Sequence, residues 1–116
     1  MKIFQEKINN FSVISIDGRI DSNNYSDFEE VVNKLFNDGE TNIIIDCFGL
    51  NYISSSGLRV FLVAQKKIIS LKGKLHLCNL QPAIKEIFTI SGFTSIFVIF
   101  DTLEQAINNN STPDGQ

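Results

Sequence analysis

Tryptophan is absent from this chain of 116 residues, and proline, cysteine, methionine and histidine are scarce at two, two, one and one. Two cysteines exclude the dense disulfide framework on which many small secreted domains depend. Cys47 and Cys78 both lie in apolar, strand-like runs, where free cysteine behaves as a small core residue, so reduced thiols are expected. The single histidine, His76, reads as a half-exposed strand residue, and with two apolar-run cysteines it makes no metal-ligand spacing. There is no Gly-x-x-x-x-Gly-Lys-Ser/Thr loop for nucleotide phosphates. The nucleophile elbow of α/β-hydrolases is missing too, because Ile53 stands two residues before Ser55 where the elbow needs glycine. No catalytic residue, metal or cofactor is therefore expected, and the chain reads as a non-enzyme.

Long hydrophobic runs are also lacking. No apolar stretch approaches the ~20 residues needed to cross a bilayer, and the start Met1-Lys2-Ile3-Phe4-Gln5-Glu6-Lys7 has no apolar signal-peptide core. A cytoplasmic protein without membrane insertion is the expectation. Excess positive charge is absent: the net charge of -3 argues against nucleic acid and leaves another protein as the expected partner. What is present, 43% hydrophobic and 20% charged residues, is ordinary for one globular domain.

Lys2 to Asn9 and Ser12 to Asp17 flank Asn9-Asn10, a pair suited to a tight hairpin turn. Gly18 to Ser22 then reads as a crossover into a helix capped from among Asp21, Ser22, Asn23 and Asn24. Phe28, Val31, Val32, Leu35 and Phe36 form its apolar face, and Gly39 its stop. The β-branched run from Asn42 to Phe48 has the pattern of a parallel strand buried on both faces. A second helix carries Leu58, Phe61, Leu62, Ile68 and Ile69 at helical spacing, ends near Leu71 and is followed by a strand at 74–79. Pro82 suits the first turn of a helix running to Ile90. Phe97 to Phe100 makes a last strand, Asp101 or Thr102 caps a last helix to about Ile107, and residues 108–116 are expected to be a disordered polar tail. This order predicts an α/β domain with a mixed, mostly parallel sheet, an N-terminal hairpin and about four helices.

Loops leaving the carboxyl ends of parallel strands gather on one edge and favour binding there. The run Ser54-Ser55-Ser56-Gly57-Leu58 is such a loop, placing three hydroxyls and a glycine where a strand gives way to a helix. Ser55 or Ser56 is expected to be the N-cap of that helix. The Gly18 to Asn24 segment is expected to lie beside it and complete a composite surface.

These segments resemble the STAS domain family, and within it the bacterial anti-sigma factor antagonists, over about residues 2 to 107. Ser54-Ser55-Ser56-Gly57-Leu58 stands where the family has Asp-Ser-Ser/Thr-Gly-Leu, with Ser54 in place of the acid. Gly18-Arg19-Ile20-Asp21 resembles the family's Gly-x-Leu-Asp, and Phe88-Thr89-Ile90-Ser91-Gly92-Phe93 its Phe-x-x-Ser-Gly-Leu. The resemblance implies an antagonist that captures an anti-sigma factor with serine kinase activity, is released when that kinase phosphorylates it, and is restored by a metal-dependent serine phosphatase. The acceptor maps onto Ser55, with Ser56 as runner-up. Asp21, Ser22, Asn23, Ser54, Ser55, Ser56, Gly57 and Arg59 become the implied partner surface. With the acid replaced, kinase recognition is altered, Ser54 supplies the missing acceptor, or the chain is not phosphorylated. Two other roles stay open: a non-phosphorylated STAS scaffold, and a STAS subunit of a lipid-transport complex. Oligomeric state also stays open, a homodimer among the options.

Overall fold

The computed structural model describes residues 1–109. Strands β1 (Lys2–Ile8) and β2 (Phe11–Ile20) form the antiparallel hairpin expected around Asn9-Asn10, with Asn9 at φ 54 in the left-handed region that asparagine tolerates. Helix α1 (Tyr25–Asn37) leads into β3 (Asn42–Ile53), helix α2 (Ser55–Ser70) into β4 (Lys74–Cys78), and helix α3 (Pro82–Ile90) with a 3-10 turn (Phe93–Ser95) into β5 (Val98–Phe100). Helix α4 (Leu103–Asn108) closes the chain. The strands lie in the order β1-β2-β3-β4-β5, antiparallel only between β1 and β2, which is the mixed sheet anticipated from the element order.

Register explains why the Ile43-Ile44-Ile45 run is continuously apolar. Ile14, Ile45, Leu77 and Ile99 are cross-strand partners on the face covered by α1, α2 and α3. Val13, Ile44, His76 and Val98 form the adjacent row on the opposite face, where α4 packs through Ala106, Leu103 and Ile107. That second cover ends early. Beyond it, Phe48 is 74% exposed and Phe4 56% exposed, so the strand expected to be buried on both faces is so only in its first half.

Phe61 sits at the centre of the larger core, with ring centroids 5.2 Å from Phe28, 5.5 Å from Phe88 and 6.4 Å from Phe97. Three helices and the β5 approach thus meet on one side chain, an edge-and-tilt cluster of the kind aromatic quadrupoles favour. The α2 face differs in detail from its expected form: Val60, Phe61, Ala64 and Ile68 are buried, Leu58 and Leu62 are half-buried, and Ile69 is exposed. Gln65 takes a core position because its Nε2 donates to Ile96 O at 2.8 Å, holding the turn after α3 against α2.

Both early strands run further than their sequence suggests. Rather than crossing over at Gly18, β2 continues to Ile20, and β3 continues past Phe48 to Ile53. Gly18 at φ 110 absorbs a register irregularity that would otherwise end the ladder. Gly49 lies so close to β2 that a Cβ there would stand 2.8 Å from Asp17 Oδ1 and 2.9 Å from Ile16 O. His76 is buried, not half-exposed, because α4 covers it: its ring lies 5.3 Å from Phe11 and 5.0 Å from Phe100, with Nδ1 3.2 Å from Ala106 O. Cys47 and Cys78 are free and buried, and burial pushes both thiols up, that of Cys78 to about 12.

Thr102 rather than Asp101 caps α4, its hydroxyl accepting from Gln105 N–H at 3.1 Å. The helix includes Asn108, the first residue of the expected tail; residues 110–116 lie outside the described residues.

Two outcomes follow for stability. Phe61→Ala should cost about 3–5 kcal/mol and lower Tm by more than about 10 °C; a loss under about 1 kcal/mol in denaturant titration would contradict the packing described. The second concerns Glu40, which receives hydrogen bonds from Lys7 Nζ and Ser12 Oγ, and these hold its carboxyl below the usual carboxylate range. A depressed carboxyl stabilises the fold above its unfolded pKa of about 4.3 and loses that contribution as pH falls through the folded value. Wild type should therefore exceed Glu40→Gln in stability at neutral pH, with the gap closing in acid; parallel pH profiles would refute it.

Candidate functional site

Ile20 and Ile53 are register partners at the carboxyl ends of β2 and β3, so Asp21 and Ser54 leave the sheet side by side. Ser54 N–H donates to Ile20 O at 2.9 Å, which ties the two departing segments together. The composite surface expected from the sequence is therefore formed by adjacent strand ends.

Ser54 is the N-cap of α2, in place of the expected Ser55 or Ser56. Its extended backbone (φ -86, ψ 171) lets its hydroxyl accept from Gly57 N–H at 3.2 Å, while its carbonyl takes the first helical bond from Leu58 N–H at 2.9 Å. The cap falls one residue early because the β3 ladder runs to Ile53 and only the next residue retains non-helical dihedrals. This frees the two serines that follow. Ser55 is exposed and Ser56 half-buried, and among the described residues neither hydroxyl has a hydrogen-bond partner. No acidic residue lies in the first turn of α2, and exposed Arg59 stands four residues after Ser55.

Gly57 is required by space. A Cβ at this position would lie 2.7 Å from Ile20 Cγ2 and 2.8 Å from Ile53 Cγ1, both in buried, branched side chains. The helix start thus rests directly on the ends of both strands.

The neighbouring loop is ordered by Asp21. Its Oδ1 accepts from Asn23 N–H at 2.9 Å and Asn24 N–H at 3.1 Å, and its Oδ2 lies 3.8 Å from Arg19 Nε. Asn24, the N-cap of α1 by position, answers with Oδ1 accepting from Asp21 N–H at 2.8 Å and Nδ2 donating to Arg19 O at 3.0 Å. Asp21 is thereby committed to shaping the loop, and it holds Ser22 and Asn23 exposed at its tip.

Four contributors were not among the sequence candidates, the first of them Leu58 in the opening turn of α2. Leu62, Ser91 and Phe93 join Ser55, Ser56 and Arg59 around a shallow open groove. The Ser91-Gly92 helix stop was legible, but its placement against the serines depends on the Phe88, Phe93 and Phe97 ring cluster, a tertiary contact. Arg19 also stacks 4.1 Å above the ring of Tyr52, binding the β2 and β3 ends on the outer face.

A family model described as STAS domain matches residues 3–106. The chain is 37% identical over 106 residues to a Bordetella bronchiseptica protein named "Putative anti-sigma factor antagonist BtrV", covering 91% of each. Its fold superposes on an anti-sigma factor antagonist from Mycobacterium paratuberculosis with TM-score 0.85 at 21% identity, covering 92% of this chain and 91% of that one. It also superposes on the Bacillus cell fate determinant SpoIIAA in its phosphorylated form, with TM-score 0.74 at 23% identity, covering 92% and 97%. No helix among the described residues is long and apolar enough to cross a membrane.

Loss of the Ser54 cap should be felt locally. Ser54→Ala is expected to cost about 0.5–2 kcal/mol of stability and Ser54→Asp close to nothing, since either oxygen can accept from Gly57 N–H. Equal thermal midpoints for Ser54→Ala and wild type would show that the cap contributes nothing.

Proposed function

The chain belongs to the STAS domain family, and on that premise we propose that it is an anti-sigma factor antagonist whose Ser55 is the acceptor of a phosphate that releases its partner. The partner in this reading is an anti-sigma factor with serine kinase activity, and a metal-dependent serine phosphatase reverses the modification. The observation that carries the proposal is the division of labour among the serines. Ser54 takes the capping duty, leaving Ser55 exposed, uncommitted and one residue into the helix. The resemblance of a relative named as an anti-sigma factor antagonist supports the partner class, and a structural neighbour solved in phosphorylated form supports the type of modification.

In this reading Ser54 supplies the acceptor at the helix start that an aspartate would supply, and its hydrogen bond from Gly57 N–H supports that role. Ser56, half-buried beside Gly57, is the second-ranked acceptor.

Magnitudes favour a change of surface over a change of fold. A phosphoserine carries about -1.5 to -2 charges at neutral pH. At a helix N-terminus the macrodipole and free amides favour it by about 0.3–1 kcal/mol, and Arg59 one turn on adds a nearby cation. Facing a surface shaped for a neutral hydroxyl, a like-charge contact at ~4 Å costs about 4 kcal/mol at an effective dielectric near 20. That corresponds to more than about a hundredfold in affinity.

The test is affinity capture from the native cells with wild type, Ser55→Ala and Ser55→Asp as bait, followed by titration of the captured protein. Wild type and Ser55→Ala should retain one protein with a histidine-kinase-like ATP fold, and Ser55→Asp should bind it at least about a hundredfold more weakly with an unchanged Tm. Undiminished binding by Ser55→Asp would overturn the switch. Recovery of a stable multi-protein assembly indifferent to position 55 would instead identify the scaffold that the Ser54 replacement also permits.

A further inference from the structure

Strand β1 is an edge of the sheet, with Lys2, Phe4 and Glu6 exposed on the same face as Phe48. Open edges present unpaired amides and carbonyls, and proteins usually guard them with charge or proline. Here the charged guard is of mixed sign, carried by exposed Lys2, Glu6 and Lys7. β1 contains no proline, and Lys7 is turned back into its own chain by Glu40. What remains is a short pattern of alternating sign with an exposed aromatic at its centre.

The ladder settles which groups face outward. The Asn9-Asn10 turn closes on the Ile8–Phe11 pair, and antiparallel pairs alternate between hydrogen-bonded and non-hydrogen-bonded. Counting back from Ile8, the backbone groups of Glu6, Phe4 and Lys2 point to β2, and those of Ile3, Gln5 and Lys7 point to the free edge.

We propose that two copies of this chain pair antiparallel along β1 about a two-fold axis at Phe4, joining their sheets into one. In this register Ile3 of each copy meets Gln5 of the other through the outward-facing backbone groups. Phe4 stands opposite Phe4 in a non-hydrogen-bonded pair, the closer of the two kinds. Lys2 stands opposite Glu6 twice, once on each side of the axis, as an isologous contact requires. Moving the axis to Ile3 sets Phe4 against Lys2, moving it to Gln5 sets Phe4 against Glu6, and moving it to Glu6 opposes two glutamates. Only the Phe4 axis satisfies charge and aromatic pairing together. Phe4 and Phe48 line one shallow hollow on the outer face, so the pairing would join two such aromatic patches across the axis.

The arrangement leaves the serine loops free, since they leave β3, which β2 separates from β1. Antiparallel strands place the two loops at opposite rims of the joined sheet, so the inference is independent of the function proposed above. A single pair of short edge strands belongs to the weak class of interface, below about 1,200 Å² of buried area.

Sedimentation of the full chain up to high micromolar concentration tests this. Wild type should show a reversible monomer–dimer equilibrium. Lys2→Glu places two glutamates opposite two glutamates, and Glu6→Lys places lysines opposite lysines, so each variant alone should dimerise at least about tenfold more weakly. Mixed in equal amounts the two variants are complementary at both contacts, and the heterodimer should recover wild-type affinity. The proposal is overturned if wild type stays monomeric throughout, if both single variants dimerise as tightly as wild type, or if the mixture associates no better than its components. Both positions are exposed, and far-ultraviolet circular dichroism confirms that each variant is folded.

Discussion

Everything at the candidate site depends on one close approach: the absence of a side chain at Gly57, where a Cβ would stand 2.7 Å from Ile20 and 2.8 Å from Ile53. Those isoleucines are the last paired residues of the two central strands. Because the start of α2 rests on both, the loop after β2 and the turn after β3 share a single surface. The Ser54 N–H bond to Ile20 O closes the same junction through the backbone. An alanine there would press on two buried, branched side chains with little room to yield.

This junction is closely packed, the frame that the proposed surface-charge switch needs. Phe61, nearly two turns into α2, anchors the helix against three other aromatic rings, while Gln65 ties the α3 turn to the same helix. A phosphate added at Ser55 meets a positive helix terminus and no acidic residue in the first turn. Under the proposed function the fold accommodates that charge and the partner surface does not, so the switch would lie in the changed surface and would require no second conformation.

Elements with strong local signals were legible in the sequence. Asn9-Asn10 marked the hairpin, Pro82 and Ser91 bracketed α3, and the isoleucine run at Ile43 marked a strand doubly covered in its first half. What escaped depends on partners distant in sequence. Strands β2 and β3 run on because Gly18 tolerates a left-handed backbone and Gly49 a near contact, neither of which local pattern reveals. His76 is buried because α4, some 30 residues later, covers it. The surface around the serines was placed correctly as neighbouring strand-end loops, but the cap moved to Ser54 once β3 proved longer. Leu62, Ser91 and Phe93 joined the groove only through tertiary packing.

The central claim is that Ser55 carries the modification. Phosphopeptide mass spectrometry on the protein isolated from its native cells, compared with a Ser55→Ala strain, tests it most directly. The account predicts a phosphate on Ser55 in wild type and none on the peptide spanning Ser54 to Arg59 in the variant. An unmodified peptide under every growth condition, or a phosphate that persists on that peptide in Ser55→Ala, would contradict it.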